Sequence, residues 1–289
     1  MPNRQEIKAI LADRQLAPHK RLGQNFLTDE GVIAAILDRA APAPEDTIVE
    51  FGVGLGSLTV PLARRVREVI GIEIDSGIVR WHQEEGRLPA NVSLRHQDLL
   101  KTDLGRLARE TGGRLKIISN LPYSISNPAI FLLIEHKETV DWAVLMLQRE
   151  VAERLLAKPG TKAYGVLSVL LAACATLEPL LTLGPEHFHP RPQVDSTVIR
   201  IRFLNPWNGQ EETPPALLKS IVKAAFQQRR KTLVNALGSA DGGHSREDIR
   251  RYLGHAGIDE TRRPDQLSPS EYLTLTRAYL QDQPREEME

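Results

Sequence analysis

Glu50-Phe51-Gly52-Val53-Gly54-Leu55-Gly56-Ser57-Leu58-Thr59 decides the fold. It closes an apolar run, Thr47–Gly52, that reads as a strand, and it opens an amphipathic stretch, Leu58–Arg67, that reads as a helix. Glycines between the two permit a tight turn and let a ligand approach the backbone closely. Working outward, further strands are expected at Val69–Ile74, Val92–Gln97, Lys116–Ser119 and Trp142–Gln148, with a helix at Ser76–Glu85. Leu177–Leu183 and Thr197–Phe203 read as an edge pair, which brings the count to about seven strands. Such alternation argues for a mostly parallel sheet covered on both faces. Its ligand crevice then lies at the carboxyl ends of the strands. The turn-forming stretch Asn205–Pro215 breaks the pattern. Beyond it, Ala216–Leu237, Ser245–Leu253 and Ser268–Leu280 read as helices, the last two opened by capping boxes, Ser245 with Asp248 and Ser268 with Glu271. The expected organisation is a Rossmann-like α/β domain over residues 1–204, including a helical N-terminal segment, and a small all-helical domain over 205–289.

The 289 residues are 41% apolar and 26% charged, which excludes wholesale disorder. One cysteine excludes a disulfide scaffold and Cys-rich zinc sites, and Cys174, in an apolar run, reads as a buried structural thiol. No run approaches the roughly 18 apolar residues of a membrane span. The first turns carry Glu6 and Asp13 and lack an apolar signal core. A cytoplasmic protein without membrane contact is therefore expected. The 37 basic and 37 acidic side chains cancel, yet the sum hides two local fields. Residues 14–28 hold Arg14, Lys20 and Arg21 with no acid, and residues 213–240 hold Lys219, Lys223, Arg229, Arg230 and Lys231 with no acid.

The strand after the glycine turn ends at Glu73, where a carboxylate can accept bonds from two ribose hydroxyls. An adenosine-bearing cofactor follows. The spacing Gly52-x-Gly54-x-Gly56 puts Ser57 where a dinucleotide fingerprint has its third glycine. Glu50, Glu73 and Asp98 form an acidic rim that opposes a pyrophosphate and suits a sulfonium cation. Charge thus favours S-adenosylmethionine over NAD, with Asp98 placed to accept from the adenine amino group.

Asn120-Leu121-Pro122-Tyr123 leaves the fourth strand in a proline-bearing loop. An amide oxygen on Asn120 and the Leu121 carbonyl, its loop fixed by Pro122, suit the two N–H bonds of a planar exocyclic amine. Its lone pair would then point at a methyl donor, and Tyr123 would stack on the base. Rate would come from positioning and dipoles, without a general base. A plain Asn-x-Pro turn with a packed tyrosine is the competing reading. His187 and His189 flank Phe188 with no third ligand evident, so no metal is expected; Asp195-Ser196 reads as a turn or cap.

Taken in order, these blocks resemble the KsgA-type ribosomal RNA adenine N6-dimethyltransferases, a family related to the Erm methyltransferases. The likeness begins at Lys20–Leu27 and continues through the glycine turn, Glu73, Asp98 and Asn120–Tyr123. It then takes in Lys158–Val169, Phe188–Ser196 and Phe226–Leu233. Val53, Ser124 and Gln193 depart from the family's usual proline, asparagine and lysine, and none of them removes an atom assigned to chemistry. The resemblance implies cofactor contacts from Asn25, Leu27, Gly52, Glu73, Asp98 and Asn120. It also implies a target adenine held between Tyr123 and Phe188. The implied reaction is dimethylation of two adjacent adenosines in the 3′-terminal hairpin loop of small-subunit ribosomal RNA, within an assembling particle.

Such an adenine must be unpaired or flipped out of its helix. Phosphate contacts are expected from Lys20, Arg21, Arg229, Arg230 and Lys231, which would orient the RNA without reading its sequence. A solvated helix face is the plain alternative for Phe226–Leu233. A monomer is expected. An Erm-like enzyme of large-subunit RNA and a non-catalytic assembly factor remain as alternatives.

Overall fold

The computed structural model describes residues 4–13, 25–204, 213–239 and 244–281. Nine strands are described: β1 (Phe26–Leu27), β2 (Thr47–Phe51), β3 (Glu68–Glu73), β4 (Val92–His96), β5 (Leu115–Asn120), β6 (Val140–Gln148), β7 (Ala175–Leu183), β8 (Phe188–His189) and β9 (Ser196–Phe203). Seven form one sheet in the order β4-β3-β2-β5-β6-β9-β7, and β1 pairs with β8. From β4 to β6 all neighbours are parallel, whereas β9 runs antiparallel to β6. The expected edge pair is therefore present as β9 and β7. Strands β2, β3 and β5 read TIVEF, EVIGIE and LKIISN and are buried almost throughout, as strands covered on both faces must be. The chain moves outward from β2 to β4, then returns to lay β5 on the other side of β2. That reversal opens a crevice between the ends of β2 and β5.

Helices are set by local chemistry. Ser76–Glu85 starts where Asp75 accepts from the N–H groups of Gly77 and Ile78, and stops at Gly86, whose φ is +58°. Ser245 and Asp248 form the expected capping box of Arg246–His255, and Ser268 exchanges bonds with Glu271 at the start of Pro269–Gln281. Two expected helices differ from the structure. Leu58–Arg67 is helical only over Thr59–Ala63, because the Asn91 amide takes up the carbonyls of Ala63 and Val66. Ala216–Leu237 is two helices, Pro215–Gln227 and Leu233–Gly238, separated by a turn at 228–232. Cys174 is half-buried, its thiol 3.3 Å from the Leu170 carbonyl oxygen.

Contacts divide the chain into two units, 1–152 with 176–204 and 153–175 with 205–289. Residues 153–175 thus join the C-terminal helices, whereas the sequence pattern groups them with 1–204. The reason is packing. Helix Val166–Ala172 contacts Pro215–Gln227 and Pro269–Gln281, and the Tyr164 hydroxyl donates to the Leu267 carbonyl at 2.9 Å. In the first unit, Ile48, Leu62, Val69, Ile118 and Val144 belong to the main core. A second cluster joins Ile7 of the N-terminal helix to Phe26, Leu55, Ile78 and Trp81.

Candidate active site

The glycine turn leaves β2 with Gly52, Gly54 and Gly56 at φ of +76°, +55° and +79°. These are values that a side chain disfavours. Gly54 has a second reason to be glycine, since a Cβ there would lie 3.0 Å from the Phe26 ring. Its N–H donates to Glu73 Oε2 at 2.9 Å, and Asp75 N–H donates to the other oxygen at 2.9 Å. Both bonds fix the carboxylate, and each oxygen keeps a lone pair for a further donor. Burial nonetheless raises the pKa of Glu73, against the pull of those N–H groups. Val53, a departure from the family's proline, lies over Gly71, where an added Cβ would come within 2.4 Å of its Cγ2.

His82 supports the turn from below. Its Nε2 lies 2.8 Å from the Gly54 carbonyl oxygen. Burial lowers its pKa, so the ring is neutral with its proton on Nε2 as donor. A continuous path therefore runs from His82 through Gly54 to Glu73. We expect His82→Leu to weaken cofactor binding about 5-fold, the value of one neutral hydrogen bond. Calorimetric titration checks this, and unchanged affinity would show that the turn holds its shape unaided.

The second motif sits across the crevice, at the end of β5. Asn120 Nδ2 donates to the Asn25 carbonyl oxygen at 2.8 Å. A carbonyl can only accept, so this bond settles which end of the amide is nitrogen and leaves Oδ1 as an acceptor. Leu121 is buried, and Pro122 leads into a single turn, Tyr123–Ile125. Tyr123 is half-buried, and its hydroxyl lies 2.6 Å from Ser196 Oγ. Burial raises the pKa of that phenol.

Between the motifs lies a cleft of about 1000 Å³, open to solvent. Asn25, Leu27, Gly52, Glu73, Asp98, Asn120, Leu121, Pro122 and Tyr123 all line it. Glu50 lines it too and is 1% exposed. Among the described residues, the lining holds the acids Glu50, Glu73 and Asp98 and no Lys, Arg or His, so these walls favour a cation over a phosphate. Ile74, exposed beside Glu73, offers an apolar face to a planar ring. Sequence patterning gave no sign of Ile74 or of His82, because one reads as a strand residue and the other as an ordinary helical histidine.

Other expected residues fall elsewhere. Phe188 is 0% exposed, pairs with Leu27 across the β1–β8 ribbon and belongs to the same buried cluster. It does not line the cleft, whereas Tyr123 does, so the two rings do not face each other across it as expected. Lys20 and Arg21 lie outside the described residues. Arg229 is held inside the second unit, where its guanidinium pairs with Asp265 at 3.1 Å and donates to the carbonyls of Thr161 and Lys162. Arg230 and Lys231 are exposed on the turn beside it.

A sheet of this order, with a glycine turn after β2 and an acid closing β3, defines the Rossmann-like S-adenosylmethionine-dependent methyltransferases. The family model described as Ribosomal RNA adenine dimethylase matches residues 16–281. The chain belongs to that family and is an S-adenosylmethionine-dependent ribosomal RNA adenine methyltransferase. It is similar to the ribosomal RNA small subunit methyltransferase A of Desulfotalea psychrophila, 46% identical over 285 residues and 96% of each chain. The protein of that name from Syntrophus aciditrophicus is 40% identical over 276 residues, 93% of this chain and 96% of the relative. Among solved structures, a dimethyladenosine transferase from Plasmodium falciparum superposes with a TM-score of 0.73 at 24% identity, over 89% of this chain and 98% of that one. The 23S rRNA methyltransferase ErmE gives 0.63 at 24%, over 88% and 98%. At that identity the likeness is one of fold.

Proposed function

We propose that this protein dimethylates N6 of two adjacent adenosines in the 3′-terminal hairpin loop of small-subunit ribosomal RNA, acting as a cytoplasmic monomer on an assembling particle. The observation that carries the reading is the Asn120 amide, turned by the Asn25 carbonyl so that its oxygen accepts beside an acid-lined cleft. The small-subunit assignment draws on relatives that bear that name at up to 46% identity. S-adenosylmethionine supplies a methyl group on a cationic sulfur. Glu73 and Asp98 would hold its ribose and adenine, the glycine turn leaves room for it, and Glu50 closes the wall as a buried carboxyl group. Asn120 Oδ1 and the Leu121 carbonyl accept the two amine N–H bonds. They keep the N6 lone pair out of the ring and aimed at the methyl carbon. Tyr123 stacks on the base. Each transfer forms an N–C bond, breaks the C–S bond towards sulfur and releases one amine proton to water.

The test incubates the protein with methyl-labelled S-adenosylmethionine and small-subunit particles from cells lacking the modification, then digests the RNA to nucleosides. Label is expected in N6,N6-dimethyladenosine, and not with large subunits. Binding without label would favour an assembly factor, and label in large-subunit RNA would favour an Erm-like enzyme.

Arg230 and Lys231 orient the RNA through phosphates. Changing both to Gln should weaken particle binding and reduce the slope of log affinity against log salt by about 1–2, as expected for two lost phosphate contacts. An unchanged slope in a salt titration would return this turn to a solvated role. Arg229→Gln, by contrast, should lower the melting temperature.

A further inference from the structure

Ser196 opens β9, opposite Gln148 of β6, and none of its surface is exposed. A hydroxyl buried so completely needs a partner. It finds one in Tyr123, 73 positions earlier, at 2.6 Å. The serine is itself held in place. Its neighbour Asp195 accepts the Arg149 backbone N–H at 2.9 Å and pairs with the Arg149 guanidinium at 2.7 Å. Tyr123 thus has its ring in the wall of the cleft and its hydroxyl moored to the end of a sheet strand. We propose that Ser196 is a positioning residue for the second methyl transfer, fixing the plane of the Tyr123 ring on which a monomethylated adenine must be held.

The argument is one of hydrogen-bond count and rests on the function proposed above. An unmodified adenine amine presents two N–H bonds to two acceptors, Asn120 Oδ1 and the Leu121 carbonyl. After one methylation a single N–H remains, so one acceptor no longer helps to orient the base. Stacking then carries more of the alignment, and a ring free to tilt costs the second step more than the first. In that step the lone pair of the methylated nitrogen forms the new N–C bond. The C–S bond breaks towards sulfur, and the last N–H proton passes to water. The phenol stays protonated throughout, because its buried setting holds its pKa above the ordinary value. It therefore keeps its bond to Ser196 across the working pH range.

Two variants remove this bond from opposite sides, Ser196→Ala and Tyr123→Phe, the latter keeping the ring. With the particle substrate, each should raise the ratio of N6-methyladenosine to N6,N6-dimethyladenosine about 5-fold, as loss of one hydrogen bond predicts. In Ser196→Ala, first-transfer rate and cofactor affinity should stay within about 2-fold, since neither needs the mooring. The double variant should match either single one, because both delete the same interaction. An unchanged product ratio in Tyr123→Phe, or additive effects in the double variant, would overturn the proposal. If Ser196→Ala unfolds, Tyr123→Phe alone decides. Wild-type protein that forms no dimethyladenosine would instead refute the function on which the proposal stands.

Discussion

Asn120→Ala should lower single-turnover methyl transfer by about 10²–10³, the usual effect of removing one preorganised dipole from a reacting centre. Cofactor affinity should change by less than about 5-fold, because the Glu73 carboxylate and the glycine turn are anchored independently of β5. The size of the effect follows from the amide's double engagement. Its nitrogen is committed to the Asn25 carbonyl, so its oxygen cannot swing away, and alanine removes an acceptor that needs no reorganisation when the amine arrives. Quench-flow with labelled cofactor, alongside calorimetric titration, separates the two quantities. If affinity fell as far as rate, Asn120 would be a cofactor-holding residue and the amine would be oriented by other groups.

A second large effect concerns pH and stability. Burial pushes the Glu50 carboxyl up to about 8, with the Glu73 charge adding to the shift. The folded protein therefore retains a proton that the unfolded chain loses near the ordinary value of 4.5. The resulting stability is fully present below that value and is lost as pH rises through about 8. Glu50→Gln mimics the protonated form at every pH. The variant and the wild type should be nearly equal near pH 4.5 and should diverge by on the order of 4 kcal/mol in the variant's favour by pH 8 to 9. Denaturant melts of the ligand-free proteins across this range read the difference directly. A gap that stays flat with pH would mean that Glu50 ionises freely within the fold. A cation in the cleft should narrow the gap, so S-adenosylmethionine should protect wild type more at pH 8 than at pH 6.

All seven strands of the sheet are legible in sequence because each is a β-rich run bounded by turn residues. Their ends in the structure differ from the expected ones by at most two residues. Glu73, Asp98 and Asn120 are legible too, since a parallel sheet sends whatever ends a strand into the crevice. Composition and periodicity do not encode side-chain direction in short irregular pieces. Phe188 looks available in sequence, yet the two-residue β1–β8 pairing turns it inward. Arg229 looks like its neighbours, but a carboxylate 36 positions away claims it. Ser196 looks like a cap, and its partner becomes visible only when β9 is laid against β6.

The Arg229 tie has an entropic consequence for recognition. A long cationic side chain on a loose segment must give up backbone freedom as well as rotamers when it grips a phosphate, and that loss is subtracted from affinity. In this chain the turn carrying Arg230 and Lys231 is already immobilised through a guanidinium shared among Asp265, Thr161 and Lys162. Of three adjacent cations, one serves as scaffold, so that on the reading proposed above the other two would meet RNA with only their side chains left to order.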